Sequence, residues 1–346
     1  MKLSHEIIVL RTTHPFIIAR GGSSEYRVVR VTLTDSDGAN GWGEAAPSAF
    51  YGETADTVVS VLPVLARVLE DADAWSIEAI EHALAKAIRF NGAARSAVSA
   101  ALHDLAAKRL GVPLWKMWGL DPAAAPPSSF TIAIAPDDAT LRARIEDAKQ
   151  YPILKVKLGT DRDAQIIRTV RLAAPDKIIR IDANAAWTPK HALRMIELCL
   201  DYGVEFVEQP LPPQDIDGLR FVRDRSPLPI VADESCIVAS DVARLAGVVD
   251  GINIKLSKCG GLREALKMIA TARAHGMLVM CGCMIETTLG IAAAAHFAPL
   301  LDCADLDGAA LLRDDPFSGP SIGGGRIALG DAPGLGVTRR AAAGKR

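Results

Sequence analysis

The sequence predicts an α/β fold: a closed barrel of eight parallel strands with a separate α+β domain ahead of it. Three observations carry that expectation. From residue 128 onward one unit recurs about every 25 residues, a short β-rich run, a loop and a helix-period stretch. Acidic and basic residues recur in the same phase, at the ends of the β-rich runs. Residues 1–115 break the pattern, with strands first and helices afterwards.

Taken in order, "EYRVVRVTLTDSDGANGWGEAAP" reads as a β-hairpin turning at Asp37-Gly38. Two or three helices follow, up to "AARSAVSAALHDLAAKRLGVPLWKMWG", so 1–115 forms the N-terminal part of an α+β unit. The barrel occupies 116–310. Its eight runs are "SSFTIAIA", "ILKVKLG", "KIIRIDAN", "VEFVEQP", "LPIVADES", "GINIKLSK", "MLVMCGCMIE" and "CADLDG". Between them lie amphipathic segments such as "DAQIIRTVRLAA", "PKHALRMIELCLDYG" and "LREALKMIATARAHG", several ending at the glycine that helix C-termini favour. Strand–helix alternation repeated eight times implies a parallel sheet, and eight parallel strands close. The Gly-rich segment 311–346 is too short to stand alone and is expected to return to the N-terminal domain.

Composition narrows the function. The chain has 346 residues, 49% of them hydrophobic and 23% charged, with a net charge of −2, which argues against a nucleic-acid or membrane-surface partner. No apolar run reaches the roughly 20 residues of a membrane span, and the N-terminus lacks a signal-peptide pattern. The basic tail "TRRAAAGKR" reads as a frayed terminus. Six cysteines without a CxxC pair, Cys281 and Cys283 among them as core residues, point to the cytoplasm. A homo-oligomer stays open.

In such a barrel the chemistry sits at the C-terminal ends of the strands. There the sequence places Lys155/Lys157, Asp182, Glu208, Asp233, Lys255, Glu286 and Asp305/Asp307. Lys157, Asp182, Glu208, Asp233 and Lys255 follow one another at 25, 26, 25 and 22 residues, one βα unit each, so five neighbouring strands deliver them to one rim. Three carboxylates cannot be buried together uncompensated, and an all-oxygen set suits Mg²⁺ or Mn²⁺. Lys155 and Lys157 alternate onto one face, opposite Lys255 across the ring. A lysine beside another cation has its pKa lowered, which makes Lys157 a base and Lys155 the residue that depresses it and holds substrate. This constellation fits abstraction of a proton α to a carboxylate, with a base on each face and inversion as the outcome.

None of the seven histidines falls at a strand end, and no GxSxG, Walker or GxGxxG motif follows a strand. A Schiff-base aldolase using Lys255 or Lys157, and a catalytically silent barrel, are the other readings of these residues.

The spaced set (KxK at 155–157, "DAN", "EQP", "ADES" and "NIKLSKCGG") resembles the enolase superfamily, specifically its muconate-lactonizing-enzyme-like subgroup, over nearly the whole chain. The resemblance implies a modified TIM barrel, (β/α)7β, with an α+β capping domain. It implies Asp182, Glu208 and Asp233 as Mg²⁺ ligands and Lys157 and Lys255 as paired acid/base catalysts. "ADLDGAALL" is similar to the DxD motif of the dipeptide epimerases, where Asp305 and Asp307 would hold a substrate's free α-ammonium. "GCMIETTLGI" resembles their seventh-strand segment, with Met284 and Ile285 lining the site. The resemblance further implies a mobile capping loop, "FIIARGGSSEYR", that reads the second residue of the dipeptide. Arg20 is the candidate there for meeting a side-chain carboxylate, and Ser23 stands where some members that act on Ala-Glu carry an Arg. The implied activity is epimerisation of a dipeptide, L-Ala-D/L-Glu first. N-succinylamino acid racemisation and o-succinylbenzoate synthesis are the alternatives on the same catalysts.

Overall fold

The computed structural model describes residues 1–341; the last five residues of the basic tail lie outside the described range. The chain opens with a strand that its composition conceals. β1 (Lys2–Ile18) and β2 (Gly21–Thr34) form a long antiparallel hairpin, and β3 (Asn40–Ala45) pairs with the far edge of β2. The hairpin at Asp37-Gly38 is the one the sequence predicts. β1 escaped that reading because its apolar residues fall on both faces: Ile7 and Val9 are 37% and 51% exposed, so no clean alternation marks the strand. Three helices follow, α1 (Ala55–Leu69), α2 (Ile77–Ala87) and α3 (Gly92–Arg109).

α3 is buried along nearly its whole length and lies flat against β3. The glycines of "NGWGEA" permit this contact. A Cβ at Gly41 or Gly43 would fall 2.0 Å from the carbonyl oxygen of Ala101 or Ala97, so only a residue without one lets helix and strand approach.

The eight β-rich runs are all strands, in the order in which the sequence presents them. They are β4 (Phe130–Ile132), β5 (Ile153–Lys157), β6 (Ile178–Asp182), β7 (Val204–Glu208), β8 (Ile230–Ala232), β9 (Gly251–Ile254), β10 (Leu278–Gly282) and β11 (Cys303–Asp305). Each pairs in parallel with the next, and Ser128 bridges to Ala304 to close the ring. A helix follows each of the first seven strands, whereas β11 leads only into a short 3-10 turn at Gly308–Leu311, so the barrel is (β/α)7β. The helices Pro189–Asp201 and Leu262–Ala274 end before Gly203 and Gly276, which take left-handed φ of 63° and 65°.

Side-chain parity sets what lies beneath the charged rim. Phe206, Val231 and Cys303 point inward two residues below Glu208, Asp233 and Asp305 and, with Met280, form an apolar plug. Burying Phe206 alone contributes about 2–3 kcal/mol. Arg180, two residues below Asp182, brings a buried guanidinium to the same level, 5.2 Å over Phe206 and paired with Glu205.

The segment after β11 returns to the first sheet. Leu312 bridges to Thr12, Phe317 packs on Trp42, Leu335 N–H donates to Asp104, and Arg339 pairs with Glu6. A small apolar cluster, Leu10, Val28 and Ala46 with Ile285 and Leu312, joins sheet and barrel beside the cavity described below. Among the described residues no helix is long and apolar enough to cross a membrane.

Candidate active site

Register sets the rim. Lys157 is the ladder partner of Asp182, and Asp182 of Glu208, so three consecutive strands present three charged ends side by side. Asp233 and Lys255 lie one residue past β8 and β9. The carboxylates of Asp182, Glu208 and Asp233 are fully buried, and an oxygen from each lies within 4.8 Å of the other two.

Lysines crowd this triad. Lys155, 1% exposed, has its Nζ 2.7 Å from Glu208, 2.8 Å from Asp305 and 3.3 Å from Asp182. Lys157 Nζ is 2.6 Å from Asp182, and Lys255 Nζ 2.6 Å from Asp233. Burial and neighbouring charge oppose each other at each group. Burial works against charge on Asp182, but Lys157 and Lys155 outweigh it and hold the carboxyl below its usual range. Asp233 is likewise buried and held well down by Lys255 and Lys258. Glu208 loses: burial and the charge of Asp182 push its carboxyl upward, despite Lys155.

Four lysines, Lys155, Lys157, Lys255 and Lys258, lie against the three acids, yet burial still pushes Glu208 upward, and the first three of those lysines line the cavity above. A hard divalent cation is the species that would let all three acids ionise together, and the purely oxygen donor set suits Mg²⁺. The residues fit the metal. The same balance acts on the lysines. Burial lowers Lys155 and Lys255, but the surrounding carboxylates outweigh it and hold both above the usual lysine range. Lys155 is thus tied into the acids as a counterion, its Nζ among Glu208, Asp305 and Asp182.

Above the triad is a cavity of about 530 Å³. On its barrel side it is lined by Lys155, Lys157 and Lys255, the pair Asp305 and Asp307, and Met284 and Ile285. Strand β11 ends at Asp305, so Asp307 reaches the cavity from the following turn and not by strand alternation. The two acids are unequal. Asp305 is committed, accepting from Ser129 Oγ at 2.6 Å and paired with Lys155, which keeps it ionised. Asp307 accepts from Thr131 N–H at 2.6 Å, and burial together with the charge of Asp305 drives its carboxyl upward, so an incoming ammonium would relieve it.

Glu286 is not part of this wall. Its carboxylate accepts from Met284 N–H at 2.9 Å, and burial pushes it up to about 7, so it shapes the Met284–Ile285 turn from behind.

The capping side departs from expectation. "FIIARGGSSEYR" is no free loop: Phe16, Ile17 and Ile18 pair with Ser23, Gly22 and Gly21 across a two-residue turn at Ala19-Arg20. A Cβ at Gly22 would fall 2.1 Å from the Phe16 carbonyl oxygen, so only a residue without one fits the tight hairpin there. Ser23 faces the cavity, but its hydroxyl is spent on the backbone of Glu25, at 2.9 and 3.0 Å. Arg20 reaches down to the barrel, donating to the Asn184 carbonyl at 2.6 Å and to Glu234 at 2.7 Å, with Phe50 stacked 4.2 Å away.

Several supporting residues were invisible to motif reading. Lys258 Nζ donates to Asp233 and to the carbonyls of Cys236 and Asn253, fixing the β8 and β9 ends together. Asn253 donates to Glu208 at 2.7 Å, and Gln209 accepts from Asp233 N–H at 2.9 Å. Lys258 and Asn253 lie inside "NIKLSK" and Gln209 inside "EQP". Their buried polar character was the available signal, but only the fold shows what each one holds.

A parallel barrel whose strand ends carry a carboxylate triad between opposed lysines, closed over by a small α+β roof, defines a class of cation-assisted barrel enzymes. The comparisons place the chain within it. Residues 139–343 match the enolase C-terminal domain-like family, and residues 4–119 match the N-terminal domain of mandelate racemase / muconate lactonizing enzyme. The chain belongs to that family. It is 40% identical over 340 residues to an L-Ala-D/L-Glu epimerase of Bacteroides thetaiotaomicron, covering 98% of this chain and 88% of the relative. It is 38% identical to an L-Ala-D/L-amino acid epimerase of a Maribacter species, covering 98% and 99%. The dipeptide epimerase of Enterococcus faecalis V583, solved with Mg and L-Leu-L-Tyr, superposes with a TM-score of 0.93 at 33% identity, covering 98% and 99% of the two chains.

Proposed function

We propose that this protein is a Mg²⁺-dependent dipeptide epimerase that inverts the α-carbon of the C-terminal residue. One observation carries the reading: the cavity that holds lysines from β5 and β9, on opposite walls of the barrel, also holds the acid pair Asp305 and Asp307. Two bases alone would serve any carbon acid, whereas the extra acids suit a substrate with a free ammonium group. An N-succinylated substrate offers no such cation. The relatives named as epimerases, and the Mg and dipeptide of the Enterococcus faecalis structure, support the same reading.

In this arrangement the substrate lies across the rim with its carboxylate toward Asp182, Glu208 and Asp233. A bound Mg²⁺, held by those three acids, would supply positive charge against the substrate carboxylate as negative charge develops there. Lys157 and Lys255 stand on the two faces of the α-carbon. The unprotonated lysine takes the proton, and the other, as its ammonium, returns one to the opposite face, so the proton count is unchanged and the configuration inverts. Lys155 keeps the substrate end of the triad positive, and Asp305 and Asp307 orient the ammonium. The roof that closes the site is built from 1–115 and, among the described residues, the segment from 311 onward, on the barrel of 116–310, and the six unpaired cysteines accord with a cytoplasmic enzyme.

The test is α-proton exchange in D₂O with L,L-dipeptides, with and without Mg²⁺, read by mass spectrometry. Metal-dependent uptake of one deuteron is expected. Uptake by N-succinylamino acids and by no dipeptide would overturn the reading.

A further inference from the structure

We infer that a second cavity, on the barrel flank beside the active site, binds a free α-amino acid with an apolar side chain, its carboxylate on Arg144 and its ammonium on Asp147. The cavity has a volume of about 460 Å³, within the range of small-molecule sites. Two departures from regular structure make room for it. β11 is followed by the turn Gly308–Leu311, where a full barrel would lay an eighth helix over the β11–β4 seam, and Ala310 and Leu311 line the opening. β1 bulges at the same place. Between the pairs Arg11–Glu25 and Phe16–Ser23, Thr12 to Pro15 stand against Ser24 alone, and Thr13, His14 and Pro15 of the bulge form the outer wall.

The charges of this cavity suit a zwitterion. Arg144 and Asp147 both line it and lie three residues apart on the helix Asp138–Asp147, so their side chains are neighbours on one face. They do not pair with each other: Asp147 meets His14 Nε2 at 3.3 Å, at the exposed mouth. Arg144 has no acid beside it. Its Nη1 donates to the carbonyls of Ala133 and Ile134 at 3.1 and 3.0 Å, its Nε is buried without an acceptor, and burial alone acts on its pKa, downward. A guanidinium so placed loses hydration without gaining a counterion, and a carboxylate is the group whose two oxygens match its fork. A ligand with a carboxylate alone would set it near Asp147, whereas an α-amino acid brings an ammonium one carbon away. The remaining wall is aromatic: Phe130 and Tyr151 stack with centroids 4.5 Å apart, and Phe16 lines the cavity with them, a surface for an apolar side chain. Phe16, Thr131 and Leu311 border both cavities, and Thr131 N–H also holds Asp307, so the bound amino acid sits one wall away from the acid pair of the active site. Hydrolysis of peptides is the class of reaction that releases such a ligand. The site stands on its own residues, whatever the active cavity turns over.

The experiment is isothermal titration of the full-length, Mg²⁺-loaded protein with L-phenylalanine, phenylpropionate and phenethylamine. L-Phenylalanine is expected to bind, and the other two, lacking the ammonium or the carboxylate, to bind about tenfold more weakly or worse. Arg144→Met removes the fork and should weaken L-phenylalanine by about tenfold or more. Because Arg144 also holds the end of β4, a second variant keeps the test decisive. Ala310→Trp fills the mouth from an exposed position and should abolish the binding. Asp307→Asn separates the two cavities and should leave L-phenylalanine bound. An absence of saturable heat with the wild-type protein, or equal affinity for phenylpropionate, overturns the inference. So does binding that survives both Arg144→Met and Ala310→Trp, or that is lost only in Asp307→Asn, which would put the ligand in the active cavity. None of these results bears on the epimerase reading, which is tested by exchange.

Discussion

Lys258→Met isolates a residue that touches no substrate yet holds the site in place. The ammonium of Lys258 is buried at 3% exposure and donates to Asp233 Oδ1 at 2.6 Å, to the Cys236 carbonyl at 3.0 Å and to the Asn253 carbonyl at 2.9 Å. Methionine keeps most of the volume, so the cavity contribution is small and the loss is electrostatic. Breaking a buried pair from one side costs about 3–5 kcal/mol, because the remaining charge is left without its partner. Lys255 still faces Asp233 in the variant, which places the expected loss near the middle, about 4 kcal/mol. At roughly 2 °C per kcal/mol for a chain of this length, Tm falls by about 8 °C. Urea unfolding with EDTA present is the assay, since a cation on the triad would stand in for the missing ammonium. Added Mg²⁺ should recover part of the loss. A variant that loses less than about 1 kcal/mol in EDTA would refute the argument that this lysine neutralises the triad from below.

Replacing Lys157 or Lys255 by Ala should abolish net epimerisation by about 10²–10⁴-fold. Each variant should still exchange the α-proton of the one configuration that faces its remaining lysine, measured with resolved L,L and L,D substrates; equal loss of both exchanges would argue against a two-base mechanism. Chelation should remove exchange and lower the melting temperature. Mg²⁺ at a hundred times its Kd should restore about 2.7 kcal/mol, and calorimetry showing no such shift would count against the triad as the metal site. His103 and His296 are pushed down to about 4 by burial. A folded pKa below the unfolded value of about 6.5 gives stability that is complete above that pH and is lost as pH falls from 6.5 toward 4, by up to about 1.4 kcal/mol per unit for each group. Raised carboxyls such as Glu44, pushed up to about 8 by burial, act in the opposite sense, so the comparison is between wild type and His296→Gln. The variant should show a shallower acid slope in urea midpoints, and an identical slope would refute the assignment.

The barrel and its rim were legible before any coordinates because both are periodic. Residues at the ends of successive βα units must converge on one circle, so spacings of 25, 26, 25 and 22 residues determine that Lys157, Asp182, Glu208, Asp233 and Lys255 share a site. Local turn chemistry likewise located the Asp37-Gly38 hairpin and the glycines that end the helices. What the tertiary structure alone decided has no period. β1 pairs along its length but buries neither face cleanly, so its pattern is not that of a strand. The segment read as a mobile loop is the end of that hairpin. Arg20 looks in the sequence like a cation waiting for a substrate, but its partner is Glu234, 214 residues away. The sequence shows which groups carry charge. Which charges cancel depends on distances of a few ångströms between residues far apart in the chain, and only the closed barrel with its roof sets those.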